Sequence, residues 1–278
     1  VEGDADAALD SAILRRMNPV LEEIYDTRRI LRRDGTSVPF EYSISVDEGQ
    51  AIQRLIREVR PHVTLEIGLA HGVSSVFICE ALKEVEGRRH IVIDPGQVEG
   101  WNEVGLYTIE RAGYSSLIEF HNEPSHIVLP RLEAKGERVG VALIDGWHTF
   151  DYVLVDFFFV DRILEVGGYV MLDDTRWYPA IRKVARYVAT HRRYEPVPNR
   201  ETPFRPSISR RVFEAATSVL RQPPLRRIAQ HLVRPDVLGP DSLLGLPPDN
   251  HIAFKKTSDD VLGDGSNGTR SWSQHVDF

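Results

Sequence analysis

Short apolar runs alternate with stretches of helically spaced apolar positions along the middle of the chain. Residues 63–67, 90–94, 117–120, 139–144 and 168–172 read as strands, being short, β-rich and nearly continuously apolar. Residues 73–85, 150–164 and 180–189 read as helices; in the second, Phe150, Val153, Leu154, Phe157 and Phe158 mark one face. Strands alternating with helices predict βαβ units and a parallel sheet. Strands without a polar face predict helices on both sides of it. The fold class expected is therefore α/β, Rossmann-like and doubly wound, over residues 45–256. No internal repeat interrupts this pattern.

The flanks differ. Residues 1–44 are expected to form a helical N-terminal extension. Ser45-Val-Asp-Glu48 is a capping box opening a helix to about Val59, and Pro61 stops it. Residues 198–250 are an Arg/Pro-rich insert with two short amphipathic patterns on either side of Pro223-Pro224. Residues 251–256 read as a late strand. Residues 257–278 are polar and glycine-rich and are expected to be a mobile tail.

Composition narrows the classes. With 278 residues, 42% hydrophobic and 27% charged, the chain can bury a full core, which excludes collagen, a disulfide scaffold and wholesale disorder. A net charge of −7 argues against a general nucleic-acid binder, because phosphate contacts need a basic surface. The stretch 205–234 is the exception, with seven arginines against one acid, Glu214. It reads either as two solvated amphipathic helices or as a lid or docking face for an anionic acceptor, including a peripheral membrane contact. The lone Cys79 forms no intrachain disulfide, and no 18-residue apolar stretch or basic-then-apolar leader occurs. A cytoplasmic location is the expectation from these features. The oligomeric state is left open.

The first strand runs into Glu66-Ile-Gly68-Leu-Ala-His-Gly72-Val-Ser74-Ser and then a helix. Glycines at such a turn let backbone approach a ligand, and the helix start presents N–H groups to it. The dinucleotide fingerprint wants glycine at its first, third and sixth positions. Gly68, Ala70 and Val73 stand there, so an NAD site fits poorly. An acid beside the loop suits a cationic ligand better than a pyrophosphate. Asp94, closing the second strand, stands where an acid commonly takes ribose hydroxyls, or else forms a turn.

Asp145 follows the fourth strand, and Asp173-Asp174 follow the fifth. In an open parallel sheet these ends share one edge, where ligands bind. Three carboxylates there repel one another unless a cation or protons neutralise them. All-oxygen ligands suit Mg²⁺ or another hard divalent ion. Helix capping is the plainer alternative. His148, three residues after Asp145, is placed for general-base work, or for capping the helix that follows.

These motifs resemble the class I S-adenosylmethionine-dependent methyltransferases. Within that class they are most like the metal-dependent O-methyltransferases of the catechol and sugar or natural-product types. The resemblance covers roughly residues 45–256. Glu66 to Gly72 looks like the first motif of the superfamily, and Asp94 like its ribose acid. Asp145 followed 28 and 29 residues later by Asp173 and Asp174 is similar to its metal triad. The resemblance implies a seven-stranded sheet whose last strand, 251–256, is reversed, with 194–197 before it. It implies S-adenosylmethionine held by Glu66, Gly68, Gly72, Ser74, Asp94 and Ser125, although for Ser125 an N-cap near Pro124 is an equal reading. It implies Mg²⁺ on Asp145, Asp173 and Asp174, and His148 as base. The expected reaction is O-methylation of a sugar or glycosylated natural product or other small-molecule hydroxyl acceptor. A catechol or phenol acceptor, a Rossmann-like oxidoreductase or hydroxylase, and a non-catalytic cofactor-binding protein are the alternatives. Trp101, Trp147 and Trp177 are candidates to line the acceptor site.

Overall fold

The computed structural model describes residues 17–41, 43–191, 193–198, 241–244, 246–247 and 249–259. The basic stretch 205–234, most of the 198–250 insert, residues 1–16 and the tail from 260 lie outside the described residues. The chain divides into two compact units, residues 1–141 and 142–278.

The first unit opens with α1 (Pro19–Thr27), capped by the Asn18 side chain on the Val20 N–H, with Pro19 at the first helical position. A two-stranded hairpin follows, β1 (Arg29–Leu31) and β2 (Ser37–Pro39), paired antiparallel. The expected all-helical extension therefore holds a hairpin between its helix and residue 44. Its turn is local chemistry: Asp34 Oδ1 accepts from the Thr36 N–H and hydroxyl, and Gly35 takes φ +82°. The strands are three residues each, too short for a readable alternation.

Next comes α2 (Val46–Val59). Its capping box is complete: Glu48 N–H donates to Ser45 Oγ, and Ser45 N–H donates to the Glu48 carboxylate. Four β-strands then alternate with three helices: β3 (Val63–Ile67), α3 (Val73–Glu84), β4 (Arg89–Ile93), α4 (Val104–Arg111), β5 (Ile118–His121), α5 (Ser125–Ala134) and β6 (Val139–Ile144). β3 pairs with β4, and β4 with β5, all parallel. α3 is buried almost all round, which explains its weak amphipathic pattern. All six residues of β6 are buried, as expected of a strand covered on both faces.

The second unit continues with α6 (Phe150–Ile163), β7 (Leu164–Leu172), α7 (Pro179–His191), β8 (Tyr194–Pro196) and β9 (Ile252–Lys256). β7 begins earlier than its apolar run: the buried Leu164 is followed by exposed Glu165 and Val166, and only 168–172 read as continuous core. β9 runs antiparallel to both β7 and β8, the reversed strand expected. The buried Lys256 ammonium beside it donates to the carbonyls of Asp161 and Leu164 at 2.6 and 3.0 Å. The large sheet has the strand order β5-β4-β3-β6-β7-β9-β8, a Rossmann-like, mostly parallel seven-stranded arrangement.

Candidate active site

In the first unit, the turn from β3 to α3 is built from left-handed backbone. Gly68 has φ +92°, Ala70 +42° and Gly72 +77°. A Cβ on Gly72 would sit 2.5 Å from the Gly105 carbonyl oxygen, so only glycine fits. No side chain caps α3, whose N-cap is Gly72 itself, and the helix start faces the loop with its N–H groups.

Asp94 closes on this loop. Its Oδ2 accepts the N–H groups of Leu69 and Ala70, each at 3.0 Å, and Oδ1 accepts that of Gly96 at 2.7 Å. The buried Gln97 completes the lattice, donating from Nε2 to Asp94 at 3.0 Å and to the Ala70 carbonyl at 2.7 Å. Gln97 had no signal in the sequence, since its role depends on a loop conformation.

The Glu66 carboxylate is buried among protein partners. Its side chain is 0% exposed. One oxygen accepts from the Ser74 hydroxyl, and the other from the Ser75 hydroxyl and His90 Nε2. His90 Nδ1 in turn meets Thr64 Oγ1 at 3.0 Å. Glu66 and Ser74, both expected at the cofactor, are bonded to each other. The reason is position. Glu66 is the penultimate residue of a strand buried on both faces, so its charge is met from within by the first turn of α3. Ser125 is the first residue of α5, buried, with Pro124 rather than a serine at the N-cap.

In the second unit, the ligand atoms of Asp145, His148 and Asp174 lie within 4.8 Å of one another. Among the described residues this is the grouping that could hold a metal ion, and Asp173 is not in it. Of the expected triad, Asp145 and Asp174 lie in this grouping, together with His148. Asp173 is buried, and Asp174 takes φ +56°, in the left-handed region. His148 Nε2 is 3.3 Å from Asp145 Oδ1 and 3.6 Å from Asp174 Oδ2. The hydrogen bond to Asp145 raises the His148 pKa; burial opposes this, and the Asp145 and Asp174 charges add to the rise. Tyr178 lies against the imidazole, ring centroids 4.4 Å apart.

Asn250, just before β9, is a member that sequence reasoning missed. Its Nδ2 donates to Asp174 Oδ1 at 3.1 Å and to Asp173 Oδ1 at 3.4 Å. Its carbonyl accepts from the Thr175 N–H at 2.7 Å and hydroxyl at 3.0 Å. It stands 76 residues from Asp174, so no local spacing could reveal it. Trp147 and Trp177 are 67% and 70% exposed, flanking the acidic residues in sequence. Trp101 belongs to the first unit, edge-on to His71 at 5.0 Å. No helix among the described residues is long and apolar enough to cross a membrane.

Residues 65–175 match the family described as "Methyltransferase domain". Caffeoyl-CoA O-methyltransferase 2 of Petunia hybrida is 30% identical over 163 residues, 51% of this chain and 61% of that protein. Caffeoyl-CoA O-methyltransferase of Petroselinum crispum is 28% identical over 165 residues, 53% of this chain and 62% of that protein. The chain spans about three fifths of the length of these curated relatives. Two solved structures share the fold. The O-methyltransferase TomG from Streptomyces achromogenes, in complex with S-adenosylmethionine, has a TM-score of 0.54 at 18% identity, covering 68% of this chain and 86% of that one. An O-methyltransferase from Bacillus cereus, in complex with S-adenosylhomocysteine, has a TM-score of 0.55 at 19% identity, covering 69% and 89%.

Proposed function

We propose that this chain is an S-adenosylmethionine-dependent, divalent-metal-dependent O-methyltransferase acting on a small-molecule hydroxyl. The observation that carries the reading is the cluster of Asp145, His148 and Asp174, whose donor atoms lie within 4.8 Å of one another. The carboxylates of Asp145 and Asp174, with Asp173 next in the chain, suit a divalent cation with open positions for an acceptor, which leaves the His148 imidazole beside them for a proton. The glycine loop, with its uncapped helix start, suits close backbone approach by a cofactor. The match of residues 65–175 to a methyltransferase domain and the names of the relatives support the same chemistry.

S-adenosylmethionine supplies a methyl group on a cationic sulfur. A divalent cation lowers the pKa of a hydroxyl bound to it. The chain's own residues do the rest. Asp145 and Asp174 hold positive charge beside the acceptor. His148, once deprotonated, takes the hydroxyl proton at Nε2. The deprotonated oxygen is then ready to receive a methyl group, the chemistry that a bound S-adenosylmethionine would supply. Gly68, Gly72 and Asp94 hold the cofactor, while Glu66 with Ser74 and Ser75 braces the loop from behind. Positioning contributes much of the acceleration in such an in-line transfer.

The acceptor proposed is a sugar or glycosylated natural product, with the exposed Trp147 and Trp177 offering aromatic faces for a ring. A phenolic acceptor is the second reading, favoured by the caffeoyl-CoA names of the relatives. The test is methyl transfer from labelled S-adenosylmethionine to matched sugar and phenol panels, with Mg²⁺ or with excess chelator. Transfer that stops on chelation and in Asp145→Asn and Asp174→Asn is expected, by about 100-fold or more. Full turnover in chelator would sink the metal role.

A further inference from the structure

The β1–β2 hairpin forms one wall of a cavity of about 220 Å³ in the first unit. Arg32, Val38 and Pro39 line it from the hairpin side, His71 from the glycine loop, and Trp101 and Val104 from the approach to α4. The Arg32 Nε–H is buried and has no hydrogen-bond partner. A buried donor left unpaired costs roughly 1–3 kcal/mol, so its retention beside a cavity calls for an acceptor from outside the chain. The neighbours do not supply one. His71 Nδ1 is engaged by the Glu41 carbonyl at 2.7 Å, and its ring packs edge-on to Trp101. Burial holds the imidazole toward its neutral form, so it adds no second cation. Glu41 is exposed, and no hydrogen bond or ion pair joins it to Arg32 among the described residues.

Apart from Arg32, His71 and the solvent-exposed Glu41, the lining is apolar or aromatic, and size limits the occupant. A cavity of roughly 150 Å³ admits a benzene ring. The volume here leaves room for such a ring and one small polar group. A guanidinium recognises a carboxylate through paired N–H donors in one plane. We propose that this cavity is a binding site for a small aromatic carboxylate, its carboxylate on the Arg32 guanidinium and its ring against Trp101, Val38 and Val104. The site is independent of the methyl-transfer reading. It also borders the glycine loop through His71, so an occupant touches the segment that Asp94 fastens.

The probes are benzoate, uncharged benzamide of the same shape, and inorganic phosphate, titrated by calorimetry into the full chain. Benzoate is expected to bind saturably, with benzamide and phosphate each at least about tenfold weaker. Arg32→Gln should weaken benzoate by about tenfold while leaving benzamide nearly unchanged, and Trp101→Leu should weaken both. Equal binding of benzoate and benzamide overturns the charge recognition, and equal binding of phosphate overturns the ring recognition. Absence of saturation by about 10 mM benzoate overturns the site altogether. The three-probe comparison uses the unaltered chain, so the outcome stands even where a variant fails to fold.

Discussion

Gly72 stands where α3 leaves the glycine loop, and two constraints meet at it. Its backbone is left-handed at φ +77°, and a Cβ there would lie 2.5 Å from a backbone oxygen that cannot swing aside. Gly113 has a similar φ, +80°, with nothing within 4 Å of its Cβ position. Gly72→Ala and Gly113→Ala therefore separate the two costs. Gly113→Ala is expected to lose about 1 kcal/mol from backbone strain alone. Gly72→Ala should lose about 2 kcal/mol more, because the Gly105 carbonyl and the loop must shift. Urea denaturation of the two variants checks this; equal losses would mean the close approach carries no weight. Asp174 shows the same economy at another residue. It takes a left-handed φ of +56°, and Asn250 Nδ2 donates both to it and to the buried Asp173 beside it.

At the scale of elements, the return of the chain toward β9 depends on charge. The four-residue 3₁₀ turn at Asp241–Leu244 is joined to α7 by ion pairs. Asp241 accepts from Arg182 Nη2 at 2.8 Å and from Arg186 Nε at 2.7 Å, two side chains one helical turn apart on α7. Burial alone would raise the Asp241 pKa; the charges of and hydrogen bonds from both arginines outweigh it, and the pKa is lowered. A carboxylate whose pKa falls on folding contributes stability above its unfolded value, and that contribution is lost as pH drops through the folded value. The stability gap between the native chain and Asp241→Asn should thus be constant above about pH 5 and shrink below about pH 4. Denaturant melts across that range measure it. A gap that grows on acidification would contradict the clamp.

For the whole molecule, the strand order determines which loops leave one edge of the sheet, while the acidic cluster raises a cost that folding alone does not remove. Asp145 and Asp174 are held near each other with His148 and Asn250 as their cationic and amide company. A cation that binds this folded cluster and not the open chain must stabilise the fold by mass action. At about 100 times its dissociation constant, the gain is about 2.7 kcal/mol. Thermal melts with Mg²⁺ or Mn²⁺ should show a rise that Asp145→Asn removes. The same rise in that variant would place the cation elsewhere.

The alternation of apolar runs was enough by itself to determine the class of fold, because buried strands and helices obey different periods. It located nearly every strand of the sheet, and the capping box at Ser45 and Glu48 stands as a local motif should. It also singled out Asp145, Asp173 and Asp174, with His148 beside them, since strand ends in a parallel sheet leave little choice of edge. The hairpin at Arg29–Pro39 was too short to leave a period. The inward turn of Glu66 and the reach of Asn250 were decided only by tertiary structure. Each depends on where a backbone angle or a distant loop directs a side chain, and neither is encoded in spacing along the chain.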